Sequence, residues 1–144
     1  MKQQNFSNHG RIVKGFHGLT FLLILAILVL AVINLVHVMG EPFWVVSGML
    51  PLLTAIVLTL IAFYARYFAL KAQDRAIRAE ENLRHFILTG KPLPSALKMG
   101  QIIAVRFAPD EELVQLAALA AKDNMAPVDI KKAIVNWRAD HNRA

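Results

Sequence analysis

The sequence predicts an all-α integral membrane protein: a two-helix transmembrane hairpin whose second helix extends into the cytoplasm, followed by a small bundle of three short helices. Three observations predict it. Two apolar runs, each long enough to cross about 30 Å of hydrocarbon, are separated by a four-residue turn. No Gly or Pro interrupts the chain between Pro51 and Gly90, so the second run continues as a helix into charged sequence. No stretch alternates apolar and polar residues with the period of a strand. With 144 residues, 56% apolar and 18% charged, the chain is too short for several domains and too apolar for an ordinary soluble one.

In order, residues 1–18 form a polar, basic arm expected on the cytoplasmic side. Residues 19–38 are almost unbroken Leu, Ile, Val and Ala. No small-x-small cleavage site closes the run, so it reads as an uncleaved first span and not a signal peptide. Residues 39–42, Met-Gly-Glu-Pro, make a short external turn, with Gly to end one helix and Pro to begin the next. Residues 43–89 form the second span and its continuation, about 65–70 Å long at 1.5 Å per residue. Pro51 frees a carbonyl one turn earlier, for which Ser47 or Thr54 is the expected donor. Residues 90–144 follow as three short helices. Ser95 is expected to cap the first. Pro109 with Asp110, Glu111 and Glu112 opens the second, and Pro127 opens the third. Their inner faces are expected at Leu113, Leu116, Ala117 and Ala120, then at Ile130, Ala133, Ile134 and Trp137.

One row of the long helix, read at alternating steps of three and four, collects Gly48, Pro51, Ala55, Leu58, Ala62, Ala65, Ala69, Ala72, Ala76, Ala79, Leu83 and Phe86. All seven alanines of residues 43–88 fall on it, an arrangement with a chance on the order of one in a thousand. Helix propensity explains the residue type but not the phase. Small residues at period 3.5 let a second helix approach closely, so Gly48, Ala55, Ala62, Ala65, Ala69, Ala72, Ala76 and Ala79 form a candidate helix-packing seam. The opposite face, with Asp74 and Arg78 or Glu80 and Arg84 at i,i+4, reads as solvated, and His85 as a complement to the helix dipole.

The formal charge of +6 gathers near the membrane. Residues 1–18 carry three basic side chains and no acid, residues 66–91 six and three, and residues 92–144 seven and six, while the turn carries only Glu41. That asymmetry places both termini in the cytoplasm. It assigns Arg11, Lys14, Arg66 and Lys71 to anionic headgroups, with no nucleic-acid partner expected. Asn34 and His37 are the polar side chains of the first span. Asn34 is expected to bond the second helix or a partner, and His37 to sit at the interface. The chain has no cysteine, which excludes disulfides and thiol nucleophiles. No catalytic constellation, metal-ligand cluster or cofactor loop is legible: His9 and His17 lack an acidic partner nearby, and Gly90-Lys91 lacks the rest of a phosphate-binding loop.

The strings Gln4-Asn5-Phe6 with Asn8-His9 and Arg11, FALKAQDRAIRAEENLRHF at 68–86, LTGKPLP at 88–94, QIIAVRFAPDEEL at 101–113 and IKKAIVNWRAD at 130–140 resemble a family of small bacterial membrane proteins, a domain of unknown function. The resemblance implies a bacterial origin and two spans, and transfers no activity or site residue. The expected function is a non-enzymatic accessory protein of the bacterial inner membrane, packing along the seam with itself or a larger assembly. The alternative is a subunit of a transporter or oligomeric channel, for which two spans offer few polar lining residues.

Overall fold

The structure is a computed structural model that describes residues 4–8, 10 and 13–140. Among the described residues every regular element is helical. A π-helical segment, Gly15–Thr20, leads into α1 (Phe21–Val38), followed by α2 (Trp44–Thr89), α3 (Met99–Val105), α4 (Asp110–Lys122) and α5 (Pro127–Ala133). Two helical stretches, Gly15–Val38 and Trp44–Thr89, are long and apolar enough to cross a membrane. The chain divides into two compact units, one formed by Arg11–Phe68 and the other by Met1–Gly10 with Ala69–Ala144.

In the first unit the helical course begins at Gly15, earlier than the apolar run alone suggests. The polar groups of this segment find local partners: the His17 N–H donates to the Val13 carbonyl (2.8 Å) and the Thr20 hydroxyl to the Gly15 carbonyl (3.3 Å). The turn after α1 needs two left-handed residues, Gly40 at φ 93° and Phe43 at φ 66°. Gly takes that conformation freely, whereas Phe43 takes it at a cost. In exchange the Phe43 carbonyl accepts the N–H groups of Val46 and Ser47, which starts α2.

α2 passes through Pro51 without ending. The missing N–H leaves the Ser47 carbonyl without its helical donor. The partner is neither hydroxyl expected from the sequence. Ser47 Oγ donates to the Phe43 carbonyl and Thr54 Oγ1 to the Leu50 carbonyl. The freed Ser47 oxygen accepts from Asn34 Nδ2 of α1 at 2.9 Å. The nearest intrahelical hydroxyls are spent on their own i−4 carbonyls, so the donor comes from the neighbouring helix.

The second unit has its core in α3, α4 and α5. Val105, Phe107, Leu113 and Ile130 are fully buried, with Ala104, Ala117 and Ala120 between them, and Ile77 of α2 joins the same cluster. Ser95 does not cap α3. That helix starts at Met99, where Gln101 Oε1 accepts the Lys98 N–H (2.7 Å) while its buried amide donates to the Met125 carbonyl (2.9 Å). The third helix is shorter than its apolar spacing predicts: it stops at Ala133, leaving Ala133 exposed, and Ile134 is extended. The cause is tertiary. Glu112 of α4 accepts the N–H groups of Val135 (3.0 Å) and Asn136 (2.9 Å), and the Phe107 carbonyl accepts that of Arg138 (2.8 Å). Trp137 still reaches the core and packs against Phe107 with ring centroids 5.0 Å apart.

Candidate functional site

The residues of the seam divide into two groups. Gly48 and Ala55 are buried and Ala62 is half-buried. At Gly48 the close approach is sterically defined: a Cβ there would lie 2.8 Å from Leu35 Cδ1 and 3.0 Å from Val38 Cγ2 of α1. Any side chain there forces Leu35 and Val38 to shift, and the Leu35 Cα lies 3.4 Å behind them. Ala65, Ala69, Ala72, Ala76 and Ala79 are exposed, and so are Leu83 and Phe86, which continue the same row.

Of the charged face expected to be solvated, Arg78 and Glu80 are exposed and Asp74 is half-buried, but Arg84 turns inward with its neighbours Glu81 and His85. Glu81 and His85 are buried, 6% and 7% exposed. Arg84 does not pair with Glu80. Its Nη1 meets Glu81 Oε2 at 3.0 Å, its Nε meets Asp110 Oδ1 at 2.6 Å, and its Nη2 donates to the Ala108 carbonyl at 2.9 Å. One guanidinium thus ties α2 to the start of α4. Arg138 adds a second cation to Glu81 at 3.6 Å. Beside them Arg106, buried against the Phe107 ring, pairs with Asp140 at 3.2 Å. His85 serves the turn after the helix: its Nδ1–H donates to the Lys91 carbonyl (2.8 Å), while Gly90 sits at φ 71° as a left-handed cap.

Burial raises the Glu81 pKa above the ordinary carboxylate value of 4.5, and the Arg84, Arg138 and Arg106 charges offset only part of that cost. Glu112 shifts the other way. Desolvation, the largest single influence, works against ionisation, but the Val135 and Asn136 N–H groups and the Asn136 amide together outweigh it and lower its pKa. The acids at the start of α4 thus act as tertiary anchors as well as dipole partners: Asp110 holds Arg84 and Glu112 holds the chain after α5.

At the N-terminus, Gln4 Oε1 accepts the Asp140 N–H at 2.7 Å. Asn5 and Asn8 close a small turn in which Asn8 Oδ1 accepts the Asn5 N–H and Asn5 Oδ1 accepts the Ser7 N–H. Residues 4–8 therefore belong to the unit that contains the chain's other end. Of the residues assigned to headgroups, Lys14 and Lys71 are exposed and Arg66 is half-buried. Arg11, like His9, lies outside the described residues. His37 is exposed. No group of three or more His, Asp or Glu side chains capable of holding a metal occurs among the described residues.

The fold and these sites define an all-helical protein with two candidate membrane-crossing helices and a separate helical unit stapled by ion pairs. The chain belongs to a family of unknown function (DUF6526), which it matches over residues 1–144. No curated protein and no solved structure matches it.

Proposed function

We propose that the chain is a non-enzymatic interaction protein of the bacterial cytoplasmic membrane. In this reading α1 and the apolar part of α2 form a transmembrane hairpin, both termini are cytoplasmic, and the rest of α2 pairs with a second copy of the chain. Arg11, Lys14, Arg66 and Lys71 face anionic headgroups. One observation carries the reading: the small residues of one row of α2 are buried at Gly48, against α1, and at Ala55, yet stand exposed in unchanged phase from Ala65 to Phe86.

Two copies inserted in the same direction run parallel, the orientation in which a heptad row pairs with itself. With Ala76 at position a, Arg75 occupies g and Glu80 the e position five residues later. That is the spacing at which g of one helix meets e of its parallel partner, here with opposite charge. Both side chains are exposed, and neither has an ion pair among the described residues. The test is the mass of the full-length protein in mild detergent. A dimer is expected, abolished by Ala72→Glu, weakened by Arg75→Glu and restored by adding Glu80→Arg. A monomer at every concentration, or a dimer indifferent to Ala72→Glu, rejects the reading.

A further inference from the structure

Within the unit Arg11–Phe68 a cavity of about 330 Å³ lies between the start of the first helical stretch and α2. Its walls are Phe16, Phe21 and Leu25 on one side and Ala62 and Phe63 on the other. The π-helical opening puts Phe16 and Thr20 onto it, and such bulges often accompany functional sites. The cavity has two hydroxyls, but both donate to their own helix: Thr20 Oγ1 to the Gly15 carbonyl and Thr59 Oγ1 to the Ala55 carbonyl (2.8 Å). The lining is therefore almost wholly apolar: Arg66 joins it through its aliphatic stem, and this half-buried residue has no hydrogen bond or ion pair among the described residues. The volume falls in the lower range of ligand pockets.

We infer that this groove binds one anionic phospholipid, with an acyl chain along Phe21, Leu25 and Phe63 and the phosphate on Arg66. The inference rests on the membrane reading above. Arg66 stands 22 residues after Trp44, about 33 Å along the helix, so a span that begins at one headgroup layer puts the guanidinium at the other. A guanidinium at that depth needs a counter-ion, and a phosphodiester matches its planar fork of donors. The groove beside it excludes a water-soluble anion as the natural occupant, because such an anion leaves the apolar walls uncovered. An acyl chain covers them.

The full-length protein is reconstituted in vesicles of mixed phosphatidylglycerol and phosphatidylcholine, re-extracted in mild detergent, and the lipids retained per chain are measured by mass spectrometry. Wild type is expected to hold phosphatidylglycerol about fivefold over its bulk proportion, the effect of one basic side chain at the surface. Arg66→Gln removes the preference, and Arg66→Lys, which keeps the charge but loses the fork, keeps part of it. Ala62→Phe, which fills the groove and leaves the charge, removes the bound lipid. Equal retention by wild type, Arg66→Gln and Ala62→Phe overturns the inference while leaving the membrane reading intact. Failure of the protein to float with the vesicles overturns both.

Discussion

Over residues 44–66, α2 meets its neighbour through Gly48 and Ala55, whereas over residues 69–89 it meets its own unit through Ile77, Glu81, Arg84 and His85. In the first region contact depends on the absence of side chain, and the one exposed backbone defect, the Ser47 carbonyl, is answered by a single amide. In the second the alanines stand outside and Glu81, Arg84 and His85 go in, each with a partner, while Arg75, Arg78 and Glu80 stay exposed. On the membrane reading proposed above, the difference follows from the surroundings of each half. A sequence built for hydrocarbon gains little from burying apolar groups and much from close backbone approach. A sequence bathed in water can desolvate a carboxylate, provided cations meet it.

The largest effect is expected where contact is tightest. Gly48→Leu drives a side chain into Leu35 and Val38 and should cost about 3 kcal/mol, read as a lower unfolding temperature of the detergent-solubilised protein. Arg84→Ala tests the other region: it leaves Glu81 buried with only the more distant Arg138 and should cost about 2–3 kcal/mol by the same measurement. If Gly48→Leu is tolerated, or Arg84→Ala is silent, the contrast between the two halves fails. Asn34→Leu removes the donor to the Ser47 carbonyl and should cost about 1 kcal/mol, the usual net worth of one hydrogen bond.

The smallest effects are in pH dependence, and they have opposite signs. The lowered pKa of Glu112 means that its contribution to stability is present above about pH 4.5 and is lost as pH falls through the folded value. Glu112→Gln should flatten that acid limb. Glu81, with its pKa raised, contributes fully below about pH 4.5 and loses that contribution as pH rises through its folded value. Glu81→Gln should abolish that decline. Denaturant midpoints measured across pH 3 to 8 distinguish the two.

The all-helical class and the two long apolar helices were legible because span length and the lack of Gly or Pro between Pro51 and Gly90 are local properties. The buried charges were not. At i,i+4 spacing Glu80 and Arg84 look like a solvated pair, and nothing in the helix itself says that Asp110, 26 residues later, takes the guanidinium. The end of α5 was hidden for the same reason, since two N–H groups accepted by Glu112 override an apolar spacing that reads as helix through Trp137. Pro51 announced a free carbonyl and Asn34 an available amide, but not that each was the other's partner. The 330 Å³ cavity left no trace at all, because its walls are ordinary apolar residues and its one charge reads equally well as an anchor.

The central claim is that one row of small residues faces its own chain in its first part and a second copy thereafter. Because the chain has no cysteine, each of Ala55→Cys, Ala69→Cys and Ala76→Cys carries a single thiol. Oxidative crosslinking in native membranes should join copies through positions 69 and 76 and leave position 55 as monomer. Crosslinking at 55, or none at 69 and 76, contradicts the account.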